Sequence, residues 1–481
     1  MNTSEGAGLS ALEARLYDDL SLLELPAKPW VPLHYVEEHP VLDVAILGAG
    51  MCGLTAAAAL RMVGVDNILC FDRAPAGQEG PWVTYARMET LRSPKQLTGP
   101  ALGLPALTFR AWYRAQFGAA AWEALDKISR TQWMEYLTWY RRVLALPVIN
   151  NTEIVALTPY QHKLIAVDTR NRLTGATQRY YARRVVLANG RDGLGGPAVP
   201  DIAHRVDRRY WAHSAQPIDF SALQGKRVAV VGAGASAMDN AATALEAGAQ
   251  RVDLFIRRDD IPRINKFTGI SSQGVVQGFV GLSDAWKWQF LATTLSAQTP
   301  PPRDSTRRVS RHANAYFHLA SPIVTLEEAQ QHLVLTTPKG RYEVDFAIFA
   351  TGFDVDVSKR GELRHFADDM LFWSDVYTPP EGQENRELAS SPYLGPAFEF
   401  QAKTPENSPL ISRLHCFNYP STLTHGKLSG DIPAVSEGAK RLAQGIARHL
   451  FVEDCAQHYD ALTVFDTPEL LGDEWYDADA Q

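Results

Sequence analysis

The sequence predicts an α/β chain in which one strand–turn–helix–strand unit occurs twice, the second copy inserted into the first. Three observations carry that prediction. A strand-like run, a glycine turn and an alanine-rich helix follow one another over residues 41–62. The same series returns over residues 226–247, its first glycine 184 residues after the first glycine of the earlier copy. Two strand ends that break into small residues, Ala188-Asn189-Gly190 and Ala350-Thr351-Gly352-Phe353, bracket the second copy as a way out and a way back.

Bulk properties set the frame. A chain of 481 residues exceeds what one core usually holds, so more than one domain is expected. Hydrophobic and charged fractions of 46% and 21% are those of a soluble globular protein. A net charge of −7 argues against a nucleic-acid partner. The four cysteines (Cys52, Cys70, Cys416, Cys455) form no C-x-x-C and no metal-ligand spacing, which suits a reducing compartment and predicts no metal. The N-terminus lacks the basic and apolar regions of a signal peptide, and no apolar run reaches membrane-spanning length. A cytoplasmic protein without a membrane partner is expected, with a small-molecule substrate; a homo-oligomer is compatible with the sequence.

Residues 1–40 read as an extension: a polar start, an amphipathic helix over 9–25 and a proline-marked connection. The first domain then opens on residues 41–47, apolar except for Asp43, as expected of a strand buried on both faces. Gly48, Gly50 and Gly53 form G-x-G-x-x-G, with Met51 and Cys52 between the last two. The first glycine permits the tight turn, the second lets backbone approach a pyrophosphate, and the third lets helix and strand pack closely. The helix N-terminus offers free N–H groups to phosphate. A second strand, residues 67–71, ends on Asp72, 24 residues after Gly48 and beside Arg73. An acid near that offset suits a ribose hydroxyl, so the unit reads as a dinucleotide site.

The long Gly/Pro-rich segment after Asp72 carries Trp82, Tyr85, Met88 and Leu91, too many burying side chains for a disordered loop. Its position fits a cover over the cofactor. Residues 108–145 read as helical; Ser129 and Gln132 form a capping box, and Trp133, Tyr136, Leu137 and Tyr140 form a core stripe. Residues 147–190 alternate as antiparallel strands, and 191–220 read as a connection ending at His213-Ser214.

In the second unit Gly232, Gly234 and Ala237 give G-x-G-x-x-A, with Ala235 and Ser236 at the helix start. Its second strand ends on Arg257-Arg258, where the first unit has an acid. An acid favours a free 2′-hydroxyl and an arginine a 2′-phosphate, so the first site reads as FAD or NAD and the second as NADP. A helical insertion with tryptophans spans 282–295, and a basic cluster follows at Arg307, Arg308, Arg311 and His312. The expected division is an extension (1–40), a flavin domain (41–220 and 341–481, with C-terminal helices) and an NADPH domain (221–340). Near the C-terminus come a strand at 414–417, the turn Thr424-His425-Gly426 and a helix over 434–450.

These motifs together resemble those of the class B flavoprotein monooxygenases, which comprise flavin-containing, Baeyer–Villiger and ornithine/lysine N-hydroxylating enzymes. The resemblance rests on residues 48–53, Asp72, Gly80-x-Trp82, residues 232–237, Arg257 and Ala350-Thr351-Gly352-Phe353. It implies two Rossmann-like domains, FAD in the first and NADPH in the second, with O2 as co-substrate and a C4a-(hydro)peroxyflavin that inserts one oxygen atom into a small organic substrate. Baeyer–Villiger oxidation and hydroxylation of nitrogen or sulfur are both open. The fingerprint F-x-G-x-x-x-H is degraded: His213 matches, but Asp207 and Arg209 replace Phe and Gly. Thr424-His425-Gly426 is similar to a turn of the N-hydroxylases, which makes His425 a cofactor contact by resemblance. Arg92 stands where relatives carry Asn or Asp, and it joins Arg307 and Arg308 as a catalytic candidate, since a cation would stabilise an anionic peroxide. The alternative is an NADPH-dependent flavin reductase that passes electrons to another acceptor without oxygenation.

Overall fold

The computed structural model describes residues 8–161, 163–191 and 193–479; the polar start expected before residue 8 lies outside them. Two sheets organise the chain. The larger has eight strands, and its centre is the strand His39–Leu47. That strand lies parallel to Ile68–Phe71 on one side and to Thr177–Leu187 on the other. Val44, Ala45 and Ile46 are fully buried, as expected for a strand covered on both faces. Leu164–Asn171 and Thr152–Tyr160 extend the sheet as antiparallel strands, and the late strand Leu414–Cys416 adds beside Val185–Leu187.

The helix Met51–Met62 runs off the first glycine turn and is buried over most of its length. Its alanines let the C-terminal helix Val435–Glu453 pack against the same core. The N-terminal helix Gly8–Leu22 adds Leu12, Leu16 and Leu20 to that core. The aromatic stripe lies on the helix Arg130–Val143, capped by Ser129 Oγ, which accepts the Gln132 N–H at 3.1 Å. Trp133, Tyr136 and Tyr140 are buried there, with Tyr136 and Tyr140 hydroxyls donating to the Leu107 and Pro100 carbonyls.

The smaller sheet has five strands, all parallel, with Arg227–Val231 at its centre: Arg251–Phe255 and Ala315–His318 lie to one side, Phe346–Phe349 and Trp211–His213 to the other. Trp211–His213 and Phe346–Phe349 both fall outside the interval 221–340 expected for this unit. The first lies within the stretch 191–220 expected as a connection, because three residues carry no period. The two crossings are themselves paired: Gly195–Pro197 lies antiparallel to Phe353–Val355, and His213 is buried against Phe353.

Between the strands Arg251–Phe255 and Ala315–His318 an insertion of helices leaves the smaller sheet and meets the larger unit. Phe279, Trp288 and Leu291 from the insertion share a core with Trp373, Leu388 and Leu423. Among the described residues, no helix is long and apolar enough to cross a membrane.

Candidate active site

Both glycine turns lie at the C-terminal ends of their parallel strands, with a helix N-terminus facing outward. At the first, Gly48 has φ +98°, and a Cβ there would stand 2.7 Å from the Ala188 carbonyl oxygen. A Cβ on Gly53 would meet the Gly48 carbonyl oxygen at 1.9 Å, so helix and turn are as close as backbone allows. A Cβ on Gly50 would have only Gly80 near, at 3.7 Å. The backbone at Gly50 is therefore exposed toward a space roofed by the loop that carries Trp82.

The residues around that space fit FAD. Asp72 is buried; its Oδ2 accepts the Ala49 N–H and its Oδ1 the Ala74 N–H, each at 2.8 Å. These bonds hold the carboxylate at the strand end while each oxygen keeps a lone pair for a ribose hydroxyl. The Trp82 indole N–H is buried without a partner, about where a Cβ on Gly80 would come (3.5 Å). A buried donor left unpaired beside a glycine cradle matches an absent polar ligand. Met51 and Cys52 begin the helix, and Cys52 Sγ donates to the Ser429 carbonyl at 3.0 Å. That bond brings the C-terminal segment 418–431 over the first cradle. Burial pushes the Cys52 thiol up to about 12, which keeps it unreactive. Arg73, next to Asp72, is exposed.

The second turn repeats the geometry with a different rim. Gly232 has φ +138°, and a Cβ there would stand 2.5 Å from the Ala350 carbonyl and 3.4 Å from the Ala237 methyl. Alanine is thus the largest residue that suits position 237. Gly234 faces open space, and Ala235 and Ser236 start the helix Ala235–Glu246. Arg257 is exposed just beyond the strand Arg251–Phe255, with no hydrogen bond or ion pair among the described residues. Arg258 donates to the Ser296 carbonyl at 3.0 Å, tying the strand end to the insertion. Ala350 N–H bonds to Val231 O at 2.9 Å, Thr351 Oγ1 donates to the Ala198 carbonyl, and Gly352 O accepts the Ala198 N–H at 3.0 Å. These three residues fix the crossing at the edge of both cradles.

The loop after Asp72 is pinned across the seam between the sheets. Arg87 donates to the carbonyls of Ser214 and Gln216 at 2.9 Å each, and Arg92 donates to the Pro300 carbonyl. On the far side, Asn418 Nδ2 donates to Asn189 Oδ1 at 3.0 Å and so joins the first crossing to the C-terminal segment.

The three catalytic candidates separate. Arg92 is in the seam. Arg307 is exposed on the helix Arg303–Ser310 with no ion pair among the described residues. Arg308 requires a correction, because its guanidinium is already engaged. It pairs with Glu246 at 2.6 Å, lies 3.5 Å from Glu89 and 3.7 Å from Asp239, and donates to the Arg87 carbonyl. Buried with those partners, it is a structural tie between the insertion and the second fold.

His425 is corrected in the same way. It is buried and stacked on Phe398 with ring centroids 3.8 Å apart. Nε2 bonds to the Gly395 carbonyl at 3.0 Å and Nδ1 faces Arg441 at 3.4 Å, so neither nitrogen is left for a cofactor. Burial, reinforced by the Arg441 charge, lowers its pKa to about 3 and keeps it neutral. Sequence reasoning passed over Arg87, Asn418, Asp239, Lys287 and Arg441. Of these only Lys287 left a trace, as a lone cation in the otherwise apolar stretch Trp286-Lys287-Trp288.

Two glycine cradles facing one seam, the first with an acid at its rim and the second with a free arginine, define a flavoprotein that handles two dinucleotides. The profile of the pyridine nucleotide-disulphide oxidoreductase family matches residues 45–272. A FAD-dependent urate hydroxylase of Xanthomonas campestris pv. campestris is 41% identical over 468 residues, which cover 97% of this chain and 98% of that protein. The ornithine N-hydroxylase of Kutzneria sp. 744, solved with reduced FAD, NADP+ and L-ornithine, superposes with a TM-score of 0.65 at 19% identity, over 85% of this chain and all of that one. The ornithine hydroxylase of Pseudomonas aeruginosa gives 0.64 at 15% identity over the same shares. The chain belongs to the family of that FAD-dependent hydroxylase, and it shares the fold of the N-hydroxylating flavin monooxygenases.

Proposed function

We propose that this chain is an NADPH- and FAD-dependent hydroxylase of urate. The observation that carries the proposal is the 41% identity, over nearly the full length of both chains, to a FAD-dependent urate hydroxylase. NADPH as reductant is supported by Arg257, a free guanidinium where the second dinucleotide's 2′-position would fall.

Bound FAD would supply the redox chemistry, taking two electrons from NADPH and delivering them to O2. Overall, one oxygen atom enters urate, the other leaves as water, and NADPH and a proton are consumed. The chain's own residues bind, orient and exclude water. Gly48, Gly50 and Gly53 leave room for a pyrophosphate at the helix N-terminus, and Asp72 orients a ribose. Trp82 roofs the cradle, while Arg87 and Arg92 hold the loop against the second fold. Water kept out of the seam cannot divert activated oxygen to peroxide. The position of Arg92 in that seam suits closure, and we assign it that role; Arg307 has no contact that gives it one.

A reductase using a protein disulfide is disfavoured, because Cys52, Cys70 and Cys416 are buried singly and Cys455 is exposed alone. The test is turnover of the FAD-loaded enzyme with urate, NADPH and 18O2. One labelled oxygen per urate consumed is expected, with NADPH used in equal amount. NADPH oxidation that yields only hydrogen peroxide and leaves urate intact would overturn the reading. Oxygenation of ketones or amines but not urate would move it to Baeyer–Villiger or heteroatom chemistry.

A further inference from the structure

Lys287 lies on the insertion helix Asp284–Ala297 and is only 8% exposed. Its ammonium makes no hydrogen bond among the described residues. Its ion-pair partner is Asp284, whose Oδ1 stands 3.9 Å away while Oδ2 accepts the Tyr393 hydroxyl at 3.1 Å. An ammonium with three donors and a single carboxylate at 3.9 Å keeps donors open for a ligand. Burial lowers the Lys287 pKa, with Asp284 opposing the shift.

A second cation shares the location. Arg441, on the helix Val435–Glu453, reaches His425 Nδ1 at 3.4 Å and the Val276 carbonyl at 3.1 Å, which leaves part of its fork free. Arg441 and Lys287 both act on His425 and help to keep it uncharged. The nearby acids are few: Glu437 is engaged by Lys440 at 3.0 Å, and Asp431 by Lys427 at 3.3 Å. Gly426 keeps the chain close to the Phe279 ring, which a Cβ would meet at 3.3 Å. The result is a partly apolar corner with an excess of positive charge, walled by the insertion on one side and the turn Thr424-His425-Gly426 on the other.

The corner is next to the first cradle. His425 is four residues from Ser429, whose carbonyl is bonded to Cys52 at the start of the cradle helix. Four residues of chain span at most about 14 Å.

We infer that Lys287, assisted by Arg441, forms the anion-recognition site for the substrate, a planar heterocycle carrying one negative charge and held against the Phe279 wall. The inference rests on the urate reading, since urate is a monoanion at neutral pH. It makes Lys287 a substrate-binding residue and gives a role to a cation held beside the buried Trp288.

The test uses FAD-loaded enzyme and three chains: wild type, Lys287→Met and Lys287→Arg. Urate KM and kcat are measured by oxygen uptake, and urate affinity by quenching of flavin fluorescence, with hypoxanthine, neutral at pH 7, as a second ligand. Lys287→Met is expected to raise urate KM and Kd by about 10- to 100-fold, the size of one charge-assisted hydrogen bond. Hypoxanthine affinity, NADPH KM and the denaturation midpoint should stay within about twofold, and Lys287→Arg should recover most urate affinity. A merely structural lysine would instead lower stability and leave the urate-to-hypoxanthine preference unchanged; that result, or unchanged urate affinity in Lys287→Met, overturns the inference alone. If Lys287→Met fails to load FAD, Lys287→Gln carries the same comparison. Wild-type enzyme that neither binds nor consumes urate overturns the functional reading, and the inference with it.

Discussion

Arg257→Ala tests the division of labour between the two cradles. Arg257 is exposed just beyond the strand Arg251–Phe255 and has no hydrogen bond or ion pair among the described residues, so its removal breaks no contact seen there. The effect on stability should stay within about 0.5 kcal/mol, as for an ordinary surface substitution. Against a 2′-phosphate the guanidinium contributes charge-assisted hydrogen bonds of about 1.5–3 kcal/mol each, and solvent at this open site favours the lower end. One such bond corresponds to roughly 10- to 30-fold in NADPH KM. NADH lacks the phosphate and should lose less than about twofold. The assay is steady-state reduction of the bound flavin under anaerobic conditions with each nucleotide, alongside a denaturation curve. Equal weakening of NADPH and NADH would refute the assignment, because it would place Arg257 against a group both nucleotides share. No change in either would place the 2′-phosphate elsewhere. Arg258→Ala should weaken NADPH less, since that guanidinium is already committed to the Ser296 carbonyl.

Five further outcomes follow from the geometry. Gly53→Ala places a methyl 1.9 Å from the Gly48 carbonyl, and purified protein should retain little FAD, read from its flavin-to-protein absorbance ratio. Arg308→Ala takes the nearest cation from Asp239, leaves Glu246 with Arg311 alone and should cost about 3 kcal/mol in urea denaturation, while Arg92→Ala should leave the midpoint nearly unchanged and raise peroxide release per NADPH. Trp82→Phe keeps the ring but deletes the unpaired indole N–H, and FAD dissociation should quicken by about fivefold if that donor meets the cofactor. Asp43 gives a pH test. Arg183 is already bonded to Asp454 at 2.7 Å, so Asp43, 3.9 Å away, is the surplus acid, and burial raises its pKa from 3.8 to about 7. A carboxyl whose folded pKa lies above its unfolded value binds its proton more tightly when folded, so its contribution to stability falls as pH rises from about 4 to about 7. Asp43→Asn removes that loss and should stabilise the protein by roughly 2 kcal/mol more at pH 8.5 than at pH 5.5; the same shift at both pH values would show that Asp43 is ionised throughout.

What the sequence disclosed and what it withheld divide by range of interaction. The two βαβ units are written locally: a strand, three small residues and a helix must be contiguous to form a cradle, so Gly48–Asp72 and Gly232–Arg257 could be read in order. The capping of Arg130–Val143 by Ser129 is local too. Trp211–His213 was invisible because three residues show no period, and it becomes a strand only when Phe346–Phe349, far along the chain, offers an edge. The role of Arg308 depends on Glu246, 62 residues away on the helix of the second cradle, and the two nitrogens of His425 are taken by Gly395 and Arg441. A family resemblance at the Thr-His-Gly turn could place His425 near the flavin but could not show which of its atoms were already occupied. Lys287 marks the other side of the same limit. Trp288 next to it is buried while Trp286 is exposed, so the sequence alone does not place Lys287 inside. Only the folded chain shows that its partner among the described residues is Asp284 at 3.9 Å, and that Arg441 from the last long helix acts on the same histidine. The residues that hold the reagent are therefore sequential, and those that select its target converge from the insertion and the C-terminal segment.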